Sequence, residues 1–163
     1  MGVTIHYQGR LKKDVERDFV INLARQFAEV YRMEYHIREE ENSLFERWLG
    51  TEEWNYYSSS KMIIINPGER AEALIFDFDD DGFIQWFCKT QFAEIEVHIR
   101  IIQLLRLMEP YFEELDVMDE GEYWDTGDAS ILEAKRNEIF RAIEIVAQHL
   151  ESGGGLESLG DLL

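Results

Sequence analysis

Residues 74–88 constrain the fold most. Leu74-Ile75-Phe76-Asp77-Phe78-Asp79 alternates at period two, Asp80-Asp81-Gly82 interrupts it, and Phe83-Ile84-Gln85-Trp86-Phe87-Cys88 resumes strand-forming residues. Asp-Gly between two such runs signals a hairpin, because glycine accepts the positive φ of a type I′ turn. A turn centred on Asp81-Gly82 sets Leu74, Phe76, Phe78 and Phe87 on one face, and Ile75, Asp77, Trp86 and Cys88 on the other. Apolar groups on both faces predict a central strand pair covered on both sides. Asp77, Asp79, Asp81 and Gly82 also match the start of a calcium loop. Cys88 then stands where a bidentate Glu is needed, and strands replace the flanking helices, so the acids read as turn residues.

After Gln91 the period becomes helical. Over residues 94–108 apolar side chains cover most of the circumference, with Glu96, Arg100 and Gln103 as the polar stripe, and Pro110 ends the helix. Glu94 and His98, four residues apart, fall inside the apolar arc, where a carboxylate and an imidazole can meet. They read first as a buried pair. In a functional sense they are a candidate general acid/base pair or two metal ligands, with Cys88, Lys89 or an acid from Asp119 to Asp128 completing the site. Cys88 in an apolar strand reads as an inert thiol, and Thr90 as the cap of the helix.

Val3, Ile5 and Tyr7 alternate as an N-terminal strand, with His6 on its polar face. A long amphipathic helix follows from residue 14 to about 34, then strands over 35–40, 44–49 and 62–65, with residues 54–60 as a loop. Beyond the central helix lie a strand at 113–118 and a last helix from 129 to 150 with Leu132, Ile139, Ile143, Val146 and Leu150 on one stripe. Asp128 or Ser130 caps it. The predicted fold is α+β: one domain over residues 1–152, mainly an antiparallel sheet carrying about three long helices, and a glycine-led tail over 153–163.

The chain has 163 residues and a net charge of -18, spread along its length. That charge opposes direct nucleic-acid binding and favours a basic protein partner, a metal ion or simply solubility, and a salt-adapted host would produce the same surface. No run reaches the ~18 apolar residues of a membrane span, no signal segment is read, and one cysteine leaves no internal disulfide, so the expected compartment is the cytoplasm. A homodimer is compatible with this composition. No nucleotide-binding or zinc signature is read, and no cofactor is expected.

Residues 109–128 hold nine acids and no Lys or Arg. Glu120, Glu122, Tyr123, Trp124 and Asp125 in this stretch form a candidate surface for a basic partner. The competing reading is a solvated loop with both aromatics packed inward. Cys88-Lys89-Thr90-Gln91-Phe92-Ala93, Glu96-Val97-His98-Ile99 and Asp119-Glu120-Gly121-Glu122-Tyr123-Trp124 with Thr126-Gly127-Asp128 resemble an uncharacterised prokaryotic α+β family. The resemblance carries no activity. Two functions are expected in order: a non-enzymatic acidic interaction protein of inhibitor, immunity or regulatory type, and a small-molecule hydrolase or acid/base enzyme built on Glu94 and His98, with or without a metal.

Overall fold

A computed structural model describes residues 3–155. Six strands and four helices follow in the order β1 (Thr4–Leu11), α1 (Arg17–Val30), β2 (Tyr35–Leu49), β3 (Glu52–Ile65), β4 (Leu74–Phe78), β5 (Phe83–Lys89), α2 (Ile95–Met108), β6 (Phe112–Asp119), α3 (Tyr123–Thr126) and α4 (Ala129–Glu151). All pairing is antiparallel, in two three-stranded sheets, β5-β1-β6 and β2-β3-β4. The fold is α+β as predicted, but the expected single sheet is two. Part of the expected tail, residues 156–163, lies outside the described residues.

The seam between the sheets runs where the hairpin was expected. The chain does reverse at Asp79–Phe83, with the Asp79 N–H donating to the Phe83 carbonyl at 3.2 Å and Gly82 at φ +72°. The reversal uses three residues and a left-handed glycine instead of a two-residue turn. Beyond it β4 and β5 part, one pairing with β3 and the other with β1. Phe76 and Phe78 are buried, whereas Phe87, expected on their face, is 45% exposed.

Two side chains replace the missing ladder. Tyr7, buried in β1, donates its hydroxyl to the Ile75 carbonyl at 2.6 Å and accepts the Ile75 N–H at 3.3 Å. Burial pushes the Tyr7 hydroxyl well above its ordinary pKa, so it remains a donor. Arg47, 2% exposed, enters from β2 and donates to the carbonyls of Asp77, Phe83 and Gln85 at 3.1, 3.3 and 3.2 Å. A planar, weakly hydrated guanidinium suits this place, and it also lies 4.5 Å from the Phe45 ring centroid.

Strands expected at 35–40 and 44–49 are one strand with a bulge between Glu40 and Ser43, and the expected loop at 54–60 belongs to β3. Trp54, Tyr56 and Tyr57 favour extended backbone. The turn-prone serines are held by the acidic turn: Ser59 donates to Asp80, Ser60 to Asp77 at 2.5 Å, and Ser58 accepts the Asp80 N–H at 2.9 Å. The result is a long two-stranded ribbon turning at Gly50, φ +65°.

One apolar core joins Ile5 and Tyr7 of β1, Ile63 and Ile65 of β3, Phe76 and Phe78 of β4, and the inner faces of α1 and α2. α4 meets this body near its start. Leu132 is buried, but Ile143 and Leu150 are about half exposed, so the expected stripe packs only in part. Asp128 caps α4 by accepting the Ser130 N–H at 2.9 Å, one of the two caps expected.

Gly9 of β1 lies against the β6 backbone, opposite Leu115. A Cβ there would stand 2.5 Å from the Glu114 carbonyl oxygen and 3.0 Å from the Phe112 ring. Gly9→Ala is therefore expected to cost about 1–3 kcal/mol, because backbone must shift to relieve the overlap. Urea titration measures it, and an unchanged midpoint would mean that β6 yields without cost.

Candidate functional site

Of the residues expected to form an acid/base site, His98 meets an acid of the 119–128 stretch, while Glu94, Cys88 and Lys89 do not join them. Glu94 is the backbone N-cap of α2, with its side chain 76% exposed, and its carboxylate stands 4.0 Å from Arg136. It turns away from the core because the helix begins one residue later, so its expected place in the buried arc is corrected. His98 is buried as expected, 2% exposed, but other groups hold it. Its Nε2 is 2.9 Å from Asp119 Oδ1 and its Nδ1 is 2.6 Å from Thr90 Oγ1. Thr90 is therefore not the helix cap. It lies buried upstream, with its Oγ1 also 3.2 Å from the Val3 carbonyl as donor.

Asp119 also accepts the Gly121 N–H at 2.8 Å and the Trp124 N–H at 2.9 Å. Burial pushes its carboxyl up. The His98 hydrogen bond and charge, with the two N–H groups, outweigh that and hold its pKa below the ordinary value. Hydroxyl, imidazole and carboxylate thus stand in a row, but all three are buried in the interior. A relay of this kind acts on a substrate only if one end opens to solvent. Here it joins the end of β6, α2 and the segment at Thr90 that follows β5.

Cys88 is buried and donates its thiol to the Glu72 carbonyl at 3.3 Å. Burial, then the nearby Glu72 charge, pushes its pKa to about 12. Native protein should leave this thiol unlabelled by a thiol-specific disulfide reagent at pH 8, while denatured protein reacts at once. Rapid native labelling would show that the site opens. Lys89 is exposed beside it, and neither of the two grooves described below includes Cys88, Lys89, Glu94 or His98.

The acidic aromatic stretch after β6 is mostly a folded-in loop. Glu120 accepts the Thr4 N–H at 3.0 Å and stands 3.6 Å from His6. Tyr123 and Trp124 pack against the core, and the Arg106 guanidinium carbon lies 3.4 Å from the Trp124 ring centroid. Glu122 faces Lys135 at 3.6 Å, and Asp125 is exposed. The expected aromatic anchors thus point inward. The chain turns back here through left-handed backbone at Glu122, φ +61°, whose N–H donates to the Asp119 carbonyl at 3.0 Å.

A different concave surface lies on the open side of the sheet β5-β1-β6. Register sets Phe87, His6 and Met118 in one row of this face, and Gln85, Gln8 and Asp116 in the next. The end of β2 overhangs it: the Trp48 N–H donates to Gln85 Oε1 at 2.7 Å, and Gln85 Nε2 donates back to the Trp48 carbonyl at 2.7 Å. Between them is a groove of about 650 Å³. Trp48 is 56% exposed and Met118 is 59% exposed in its walls, with Leu44, Trp86 and Phe87 also open to solvent.

Charge in the groove is one-sided. Glu46, Asp77 and Asp116 line it against a single arginine, Arg47, whose donors are already engaged by backbone carbonyls and the Tyr56 hydroxyl. Burial is the main cause that raises the Asp77 carboxyl above its ordinary pKa, despite hydrogen bonding from Ser60. Tyr56 donates to Asp79, and burial followed by that carboxylate raises the Tyr56 hydroxyl. Two carboxylates of the calcium-like turn are occupied as acceptors: Asp77 takes the Ser60 hydroxyl at 2.5 Å, and Asp79 Oδ1 takes the Asp81 and Phe83 N–H groups at 2.9 and 3.0 Å. A second groove of about 640 Å³, beside the start of α1, mixes Arg10, Lys12 and Lys13 with Glu16, Asp81 and Glu113 and has no single sign.

Sequence reading did not find this groove, because it joins the tip of β2 to strands far along the chain. Its trace in the sequence is the alternation of Leu44, Glu46 and Trp48 against Phe45 and Arg47. Comparison of the chain with protein-family models, with curated proteins and with solved structures gives no match.

Proposed function

We propose that this chain is a non-enzymatic interaction protein of inhibitor, immunity or regulatory type, acting in the cytoplasm, and that the groove receives a basic protein partner. The observation that carries this is the groove itself: exposed Trp48, Phe87 and Met118 beside Glu46 and Asp116, with its only arginine already engaged. Large rigid side chains supply most of the binding energy in such surfaces, and surrounding charge of one sign steers the partner in. The net charge of -18 acts in the same direction at longer range. Glu120 extends the acidic rim through His6.

The test is capture from the host lysate at low and high salt, comparing wild type with a Trp48→Ser/Met118→Ser double variant, read by mass spectrometry. Both side chains are mostly exposed, so the variant should fold with wild-type stability to within about 1 kcal/mol. A basic protein held by wild type, released by salt and reduced at least about tenfold with the variant supports the reading. Equal retention by the variant removes the groove from it, and no basic protein at any salt removes the reading.

A further inference from the structure

We infer that the partner enters as an added β-strand along the free edge of β6, with basic residues at alternate positions facing Glu114 and Asp116. This rests on the reading of the chain as a binder of a basic protein, and adds the manner of recognition.

β6 pairs with β1 on one side, and no strand takes its other side among the described residues. The ladder phase says which groups are free. The Glu120 N–H donates to Thr4, so Met118, Asp116 and Glu114 bond towards β1, and the N–H and C=O groups of Leu115 and Val117 point to the open edge. No hydrogen bond reaches the Leu115 or Val117 backbone from outside the ladder among the described residues. The other outer edges are closed or broken. β5 is capped by Glu72, Asp79 and Arg47, β4 by Tyr7 and Arg47, and β2 is interrupted by its bulge.

Side chains then select the occupant. On the groove face the β6 row reads Glu114, Asp116, Met118 and, just past the strand, Glu120, while Leu115 and Val117 face inward. Directly opposed cross-strand pairs of unlike charge attract and like pairs repel. A second copy of this chain would set acid against acid along the row, so self-pairing is opposed. A strand with Lys or Arg opposite Asp116 and Glu114, an apolar residue opposite Met118, and apolar residues between them extends both faces of the sheet. Asp116 and Met118 also line the groove, so the added strand would form part of its wall.

The probe is a peptide of alternating lysine and valine as long as β6, 8 residues, against a peptide of the same composition with its lysines in one block. The alternating peptide is expected to bind at least about tenfold more tightly, and to slow amide exchange at Leu115 and Val117. A Glu114→Lys/Asp116→Lys variant should lose about tenfold and prefer an alternating glutamate and valine peptide. Both acids are exposed, so the variant should fold. Val117→Pro, which removes one outward N–H at an edge where proline is tolerated, should abolish the protection. Equal binding of the two lysine peptides, or unchanged exchange at Leu115 and Val117, overturns the inference. If the lysine variant still captures the basic protein that the Trp48→Ser/Met118→Ser variant loses, strand addition fails and the groove reading stands. If wild type captures no basic protein, the failure belongs to the reading beneath it.

Discussion

Replacing Asp119 with alanine is expected to cost about 3–5 kcal/mol, a large share of the ~5–15 kcal/mol typical of a domain. The change strips His98 Nε2 of its acceptor and leaves the N–H groups of Gly121 and Trp124 unpaired in the interior. Each buried orphan carries its own desolvation cost. Denaturant titration measures the loss, and a change under about 1 kcal/mol would show that solvent or a neighbour takes over the three donors. The pH dependence gives an independent reading. Because the folded-state pKa of Asp119 lies below its unfolded value of about 3.9, its contribution is complete above that value and is lost as pH falls through the folded value. The wild type should therefore lose stability on acidification more steeply than Asp119→Asn, which does not titrate. Parallel pH profiles would contradict the assignment.

Arg47→Met should cost a similar amount, about 3–5 kcal/mol, although it matches the length of the arginine stem. It would leave the carbonyls of Asp77 and Gln85 without their donor at the seam, where the diverging strands do not supply one, and take from the Phe83 carbonyl one of its two donors, the Asp79 N–H remaining. Arg47→Lys keeps the charge but reaches fewer acceptors from a single point, so it should fall between wild type and methionine. A methionine variant as stable as wild type would mean that β4 and β5 close into a ladder when the wedge is removed. Amide exchange of β5 separates these outcomes, since a new ladder slows it and an open seam speeds it.

These two sites show what the sequence could and could not disclose. Alternation in β1 and the apolar arc of α2 were legible, because each is decided by near neighbours. That His98 would be buried followed from its place on that arc. Its partner was legible only as some acid between Asp119 and Asp128, because helical spacing reveals only groups a turn away, and Asp119 comes from 21 residues further on at the end of a strand. Glu94 looked equivalent to His98 by periodicity, yet its position at the cap turned it outward. Likewise Asp81-Gly82 announced a reversal correctly, but a turn does not oblige its flanking strands to pair. The side chain that parts them lies 30 residues before Asp77. Ser58, Ser59 and Ser60 read as a loop for the same reason: the acids that hold them extended are distant in sequence. The groove combined all these omissions, since it needs the seam, the long ribbon and the open sheet face together.

The position of β1 also governs the order of events as the chain folds. It is the middle strand of its sheet, yet its partners are β5 and β6, whose residues lie as far along as Cys88 opposite Ile5 and Asp119 opposite the same residue. The meander β2-β3-β4 needs only short closures and can form while later residues are still being made. β1 must wait. Closing loops of such length is slow even though its equilibrium cost grows only logarithmically. During synthesis the first strand is therefore unpaired until β5 emerges and keeps an open edge until β6 follows, a window in which a chaperone, or the partner itself, would find it exposed.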